Sequence, residues 1–273
     1  MKIPVSVMIL TKNEEKNLPA CLNSVNWSDD IHVFDSWSDD STAVIARDNG
    51  AEVRRRVLDN WSSHLNWGLR NLPFKYRWIL YINADERVSE ELVQAIETAV
   101  NNPGENKAFL IERCDYFMGR NIKHVQASRL YIRFFLRDHM RYERLVNPVS
   151  VVDGNIGLLK GHLLHYPFSK GVTHWIEKHN SYSMLEARQI NEDKKKKINV
   201  SLVKALFSKD YHIRSMHRKA LYYSLPFRPF LMFFLLYIVK GGFLDGRSGF
   251  HYAVLRTFYE YMIVLKTMDK AGD

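Results

Sequence analysis

Cysteine is nearly absent: Cys21 and Cys114 are the only two in 273 residues. Two cysteines cannot build a disulfide framework, and these lack metal-site spacing, so a reducing cytoplasm is the expected compartment. Long apolar runs are missing as well. Ile3–Leu10 breaks into Thr11-Lys12-Asn13-Glu14-Glu15 with no small-residue cleavage site, which reads as a buried strand and not a secretory signal. Phe230–Val239 is ten residues without a charge, about half of what a transmembrane helix requires. There are no internal repeats, and the one low-complexity tract, Lys194–Lys197, reads as a solvated linker. What is present, 46% hydrophobic and 25% charged residues, describes a globular chain and excludes a disordered, collagenous or coiled-coil protein.

The charge is unevenly spread. From Tyr166 onward there are 18 basic and 9 acidic residues, whereas the first 165 residues hold 21 of each, so the whole +9 excess lies in the last 108 residues. Such a segment seeks phosphate, on nucleic acid or on an anionic membrane face. Its basic residues are interleaved with Phe, Tyr and Trp, but no nucleic-acid recognition motif is present, and nucleic acid is not expected as a partner.

Up to about residue 165, strand-like and helix-like stretches alternate. Ile3–Leu10, Ile31–Phe34, Ala51–Val57, Trp78–Ile82, Ala108–Glu112 and Leu130–Phe135 read as strands. Leu18, Leu22 and Val25 recur at helical spacing behind Asn17 as N-cap; Asp40-Ser41-Thr42 caps a helix running to Gly50; Ser89-Glu90-Glu91 starts another. This alternation predicts an α/β fold, a mainly parallel sheet with helices on both faces. Ligands of such sheets gather at the carboxyl ends of the strands, which puts Thr11–Glu14, Asp35 and Asn83–Glu86 on one edge. Beyond Tyr166 the pattern becomes helical: Thr173–Arg188, then Phe227–Val239 and Tyr252–Leu265 around a turn-rich hinge, Gly241–Arg247. Arg228 and Lys240 bracket the apolar stretch, and Tyr222, Tyr223 and Tyr237 add amphipathic rings. A helical pair lying in a membrane interface is the expectation. The division is thus 1–165 for a ligand-binding α/β domain and 166–273 for a basic, aromatic helical region.

The apolar strand Trp78–Ile82 delivers Asn83-Ala84-Asp85-Glu86 to the sheet edge, where hard oxygen ligands suit Mg²⁺ or Mn²⁺ holding a diphosphate. Two more polar loops, Thr11-Lys12-Asn13-Glu14-Glu15 and Asp35-Ser36-Trp37-Ser38-Asp39-Asp40-Ser41-Thr42, open at the same edge. Each alone is equally a polar turn that caps the next helix.

Taken in order, these three segments resemble family 2 glycosyltransferases of the GT-A (Rossmann-like) fold. Leu164-His165-Tyr166, then Trp175-Ile176-Glu177-Lys178-His179-Asn180-Ser181-Tyr182 and Glu186-Ala187, are similar to the subgroup of lipopolysaccharide-core glucosyltransferases and capsule or exopolysaccharide enzymes. The resemblance implies a nucleotide pocket lined by Thr11, Asn13 and Glu14, with Asp35 bonding the base, uracil. It implies that Asp85 holds a divalent metal, Mg²⁺ or Mn²⁺, with His165 brought to the metal or diphosphate. Lys178 and His179 meet phosphate, Arg129 matches an Arg-Leu pair, and Asn83 bonds a ribose or sugar hydroxyl. The implied reaction is inverting transfer of a sugar from a nucleoside-diphosphate donor, a UDP-hexose, to a lipid-linked saccharide acceptor. Its expected place is the cytoplasmic face of the bacterial inner membrane, peripheral or monotopic, on an anionic membrane surface.

Several positions depart from that pattern. Asn83 replaces an aspartate, His64-Leu65-Asn66 stands where Gln-Arg-Asn or Gln-Lys-Asn is usual, Trp37 replaces a glycine and Asp39 a threonine. Leu145-Val146-Asn147-Pro148 occupies the place of a His-Glu pair whose glutamate is the base, leaving Glu143 or Asp153 as the alternatives. A catalytically impaired nucleotide-sugar-binding protein on the same scaffold is the other reading.

Overall fold

The computed structural model of the protein describes residues 2–126, 128–195, 201–208 and 210–269. The chain divides into two units: Met1–Tyr116 with Ser128–Tyr142 and Ser150–Lys170, and Phe117–Ala127 with Glu143–Val149 and Gly171–Asp273. The division therefore falls at Lys170/Gly171, a few residues past the boundary read from the sequence, and two earlier segments group with the helical unit.

From Ser6 to His165 the elements are β1 (Ser6–Thr11), α1 (Leu18–Ser24), β2 (Asp30–Asp35), α2 (Thr42–Asp48), β3 (Glu52–Arg55), α3 (Trp61–Asn71), β4 (Trp78–Asn83), β5 (Glu86–Val88), α4 (Glu90–Asn101), β6 (Asn106–Phe117), β7 (Arg120–Asn121), β8 (Leu130–Leu136), β9 (Met140–Glu143), β10 (Val149–Val152) and β11 (Asn155–His165). The main sheet runs β3-β2-β1-β4-β8-β6-β11-β5. β1 pairs in parallel with β2 and β4, β2 with β3, and β6 with β11. β8 is antiparallel between β4 and β6, and β5 antiparallel to β11. This is the mixed, mostly parallel α/β sheet of the GT-A type. β1 is buried along its whole length, as expected of a parallel strand covered on both faces. Val7 and Ile9 join the α1, α2 and α4 residues Leu18, Leu22, Ala46, Leu92 and Ile96 in one core cluster. Met8 points the other way, to α3, where the absence of a side chain at Gly68 lets the Phe34 ring approach: a Cβ there would sit 3.1 Å from it.

Local chemistry explains most boundaries. Ser89 Oγ accepts the Leu92 N–H, and Glu90 and Glu91 occupy the first turn of α4, where the helix dipole favours acids. Asn17 stands at the α1 N-terminus without capping it; its amide instead donates to Glu14 and Ser169. For α2 the N-cap Ser41 makes no side-chain capping bond, and the preceding Asp40 accepts the Thr42 N–H with Oδ1 at 3.0 Å instead. β11 is the strand that alternation does not reveal, because its pairing with β6 shifts register between Leu158 and His162.

The second unit carries α5 (Gly171–Lys195), α6 (Leu202–Phe207), α7 (Tyr211–Ser224), α8 (Arg228–Phe233), a π-helical turn (Phe234–Val239), a short 3₁₀ turn (Gly242–Asp245) and α9 (Gly246–Met268). Lys194 and Lys195 belong to the end of α5 and not to a linker, while Lys196 and Lys197 lie outside the described residues. The Gly241–Arg247 hinge is tied down: the Asp245 carboxylate accepts the N–H groups of Lys123, His124 and Val125 at 2.8–3.0 Å. Among the described residues no single helix is long and apolar enough to cross a membrane, although the bent pair Arg228–Val239 and Gly242–Met268, at 71°, passes by length and composition.

Candidate active site

The parallel register brings the loops after β1, β2 and β4 to one edge, since Thr11 aligns with Asp35 and Leu10 with Asn83. Asp35 is completely buried. It accepts Thr11 Oγ1 at 2.8 Å and the Ser38 N–H at 3.0 Å, and Arg55 Nε lies 3.3 Å away. It thereby pins the second loop to β1 and β3. The Ser38 Oγ in turn accepts the Asn13 N–H at 2.8 Å, and Asn13 Oδ1 accepts the Asp39 N–H at 3.1 Å. Asn13 and Trp37 both have positive φ, 56° and 60°. That conformation explains why a glycine is the residue expected at position 37; a tryptophan holds it only under strain. Its ring is half exposed, with the Arg55 guanidinium 5.4 Å from the ring centroid. Glu14 is clamped by Asn17 Nδ2 at 2.7 Å and by Lys170 Nζ at 2.5 Å, and Lys170 also donates to the Asn13 carbonyl at 3.0 Å.

Across β4 and β11 lies a second cluster. The Tyr166 N–H donates to the Asp85 carbonyl at 2.9 Å, which joins the two strand ends. His165 Nε2 is 3.4 Å from Asp85 Oδ2, and His165 Nδ1 is 2.7 Å from Asp115 Oδ1. Asp115, at the end of β6, also accepts Arg113 Nε at 2.8 Å. Burial and Arg113 oppose a charge on His165, yet Asp85 and Asp115 outweigh them and hold its pKa above the ordinary value. Asp115 is held below the usual carboxylate range: burial works against this, but His165 and Arg113 prevail. Glu86, also completely buried, accepts the Asn83 N–H at 2.8 Å and sits 3.3 Å from Arg133 Nη2, whose guanidinium covers the Tyr81 ring. Glu86 therefore shapes the turn, and Asp85 is the acid left at the sheet edge. Asn83 accepts Tyr81 OH at 3.2 Å.

Asp85 and His165 fit a small divalent cation. Their 3.4 Å separation is that of two neighbouring ligands each about 2.1 Å from one ion. Asp115 bonds the far nitrogen of the ring, the arrangement that orients ligating histidines. Among the described residues no cluster of three or more His, Cys, Asp or Glu side chains forms a protein cage; two ligands leave positions for phosphate oxygens and water, the manner in which Mg²⁺ is usually held.

Other residues named from the sequence lie differently. Arg129, just before β8, forms an ion pair with Glu112. Asp153 is at the turn preceding β11, the opposite end of that strand from His165, which for eleven residues is about 30 Å. It is highly exposed, 4.0 Å from His139. Glu143, Lys178 and His179 belong to the second unit. His179 lies flat on Trp175, 3.6 Å between ring centres, and donates to its carbonyl. Burial, with Arg256 nearby, lowers its pKa to about 3, so it is neutral and offers phosphate no charge. Asn147 donates to the buried Glu186 at 2.6 Å.

Asp115, Arg113, Lys170, Arg55 and Arg56 were not singled out from the sequence. For Asp115 the signal was available, had the β6 strand been continued past Glu112. For Lys170 there was none, because β11 itself went unread. Arg56 matters for the missing base at Leu65: its Nη1 reaches His64 Nδ1 at 3.1 Å, so a neighbouring element brings a cation to that place. Leu65 is core, and Asn66 clamps the Tyr142 backbone at 2.8 and 2.9 Å.

The chain is similar to known glycosyltransferases. The chain is 26% identical over 284 residues to the lipopolysaccharide core biosynthesis glycosyltransferase LpsC of Rhizobium meliloti, covering 98% of this chain and 93% of that one. It is 29% identical to an uncharacterised glycosyltransferase of Rickettsia typhi, covering 77% of each. Among solved structures, S. aureus TarS matches 96% of this chain and 91% of that one, at 14% identity and a TM-score of 0.45. Glucosyl-3-phosphoglycerate synthase from Mycobacterium tuberculosis, in complex with Mn²⁺, UDP and glucosyl-3-phosphoglycerate, matches 50% and 57% at 15% identity and a TM-score of 0.38. Residues 6–160 match the model of glycosyl transferase family 2, and the chain belongs to that family of glycosyltransferases.

Proposed function

We propose that this glycosyltransferase transfers a hexose, with inversion, from a UDP-sugar to a lipid-linked saccharide acceptor in the synthesis of lipopolysaccharide or another surface polysaccharide. The observation that carries the reading is the Asp85–His165 pair at the strand ends, oriented by Asp115 and at the same sheet edge as the Asp35 loop. Asp85 and His165 would hold a divalent cation, which as a Lewis acid supplies charge stabilisation for the departing diphosphate. Thr11, Asn13 and the Asp35 loop line the nucleotide side. Their internal hydrogen bonds keep the loops preorganised, so little order is lost on binding. Lys170, paired with Glu14, and Arg56, paired with Asp59, order the loops on that side. A carboxylate takes the acceptor hydroxyl proton as the oxygen attacks the anomeric carbon; Asp153, at the far end of β11 from His165, is set aside. The basic, aromatic second unit would keep the enzyme on an anionic membrane, on its cytoplasmic side, where lipid-linked acceptors reside.

The test is UDP release from a panel of UDP-sugars with membrane lipids present. Asp85→Ala is expected to lower turnover by about 100-fold or more, and chelation followed by Mn²⁺ to abolish and restore it. Equal turnover by the variant and wild type overturns the metal assignment. The departures at Asn83 and at Asn147-Pro148 favour one other reading, a nucleotide-sugar-binding protein. Metal-dependent UDP binding in calorimetry, with no turnover on any donor, would select it.

A further inference from the structure

The second unit contains a groove of about 350 Å³ that nothing above uses. Its walls include Tyr223, Leu225, Phe227, Phe230, Tyr261 and Met268, with the cations Arg228 and Lys194 also lining it. Arg228 is 6% exposed, and its Nη1 has no hydrogen-bond partner. Its guanidinium lies 5.2 Å from the Tyr223 ring centre. The buried carboxylate of Glu260 is in electrostatic reach of both Arg256 and Arg228. A buried cation with an idle donor is costly unless an anion meets it. Phe227 and Phe230 of the groove walls are 76% and 74% exposed, apolar rings of the kind that sink into a headgroup boundary.

We propose that this groove holds one anionic glycerophospholipid, its phosphate against Arg228 and an acyl chain along the aromatic walls. The volume is at the small end for ligand pockets, and the aromatic walls suit part of an acyl chain. Lys194 and the +9 excess of the C-terminal region select a lipid of net negative charge over a zwitterionic one. The inference deepens the membrane-surface part of the proposed function and rests on it, but its test does not require transfer.

Calorimetry of the full chain with monomeric dihexanoyl phosphatidylglycerol should show saturable binding of one lipid per chain. Dihexanoyl phosphatidylcholine should bind roughly tenfold more weakly, and inorganic phosphate at the same concentrations should give no saturable heat. Arg228→Gln should weaken phosphatidylglycerol binding roughly tenfold, and Arg228→Lys should retain most of it. Phe230→Ser, at an exposed position, should weaken binding without moving the thermal midpoint. Equal affinity in wild type, Arg228→Gln and Phe230→Ser overturns the proposal. So does phosphate binding as tight as that of the lipid, which would mark a free-anion site. UDP release by the wild-type preparation separates the two readings. Turnover without lipid binding sinks the groove alone, while lipid binding without turnover on any donor sinks the transferase reading alone.

Discussion

His165 is gripped from both sides, by Asp115 on Nδ1 at 2.7 Å and by Asp85 facing Nε2 at 3.4 Å. Asp115 thus acts as a positioning residue: it fixes which ring nitrogen carries the proton and which way the ring points. Asp115→Asn is expected to raise the Mn²⁺ concentration for half-maximal UDP release by about tenfold. Turnover at saturating Mn²⁺ should change much less; a loss that Mn²⁺ cannot overcome would show that Asp115 serves only the fold. His64 illustrates a different residue-level effect. Burial, and then Arg56, lower its pKa to about 4 from 6.5, so it is neutral against the Phe34 ring. The unfolded chain then binds the proton more readily than the folded one. Stability from His64 is complete above about pH 6.5 and declines as pH falls toward 4. Urea unfolding should show a loss of roughly 2 kcal/mol between pH 7 and pH 5 from this residue. His64→Gln should show a smaller slope over that window. His165 was legible through the family resemblance, but neither the part of Asp115 nor that of His64 was, since a histidine beside a leucine carries no mark of what will stack on it.

At the scale of elements, the junction between α4 and β11 sets the site's edge. Ser89 caps α4 and also accepts the His162 N–H at 3.0 Å, so one hydroxyl serves both a helix end and the register shift of β11. Ser89→Ala should cost about 1–2 kcal/mol in chemical denaturation, the upper part of the range for a lost cap. Gly161, in that same irregular stretch, has φ +84°, and a Cβ there would lie 2.3 Å from the Leu92 backbone nitrogen. Gly161→Ala combines strain with a backbone clash and should cost about 3 kcal/mol or more. A near-neutral result would mean that α4 and β11 can separate without loss. The cap at Ser89 and the strands β1 and β4 were readable because propensity and burial agree there. β11 was not, because two glycines and a shifted register erase its alternation.

For the molecule as a whole, charge is the feature that organises behaviour. A neutral first 165 residues and a +9 remainder predict that flotation with anionic vesicles weakens as salt rises, by screening of exposed charge. Flotation indifferent to both salt and vesicle charge would leave the apolar face alone as the anchor. The helical unit also holds a dense interior of polar groups. Arg144, Asn147 and Glu186 are hydrogen-bonded together, and the last of these is 1% exposed. The Leu145–Pro148 segment is anchored there, which explains how an asparagine and a proline stand where the family resemblance led one to expect His-Glu.

Strands β1 to β4, β6 and β8, the three polar loops and the acid at the end of Trp78–Ile82 were determined by the sequence itself, because each depends on neighbours within a few residues. The charge asymmetry was likewise a matter of counting. Only the tertiary structure decided that Glu86 is buried against Arg133 while Asp85 faces His165. It alone decided that Asp115 stands behind that histidine and that Asp153 lies at the wrong end of its strand. Those assignments depend on pairing between residues many tens of positions apart. The pattern along one strand fixes which face of the sheet a residue takes, but the partner it meets there belongs to a strand far away in sequence, so only the folded sheet decides it.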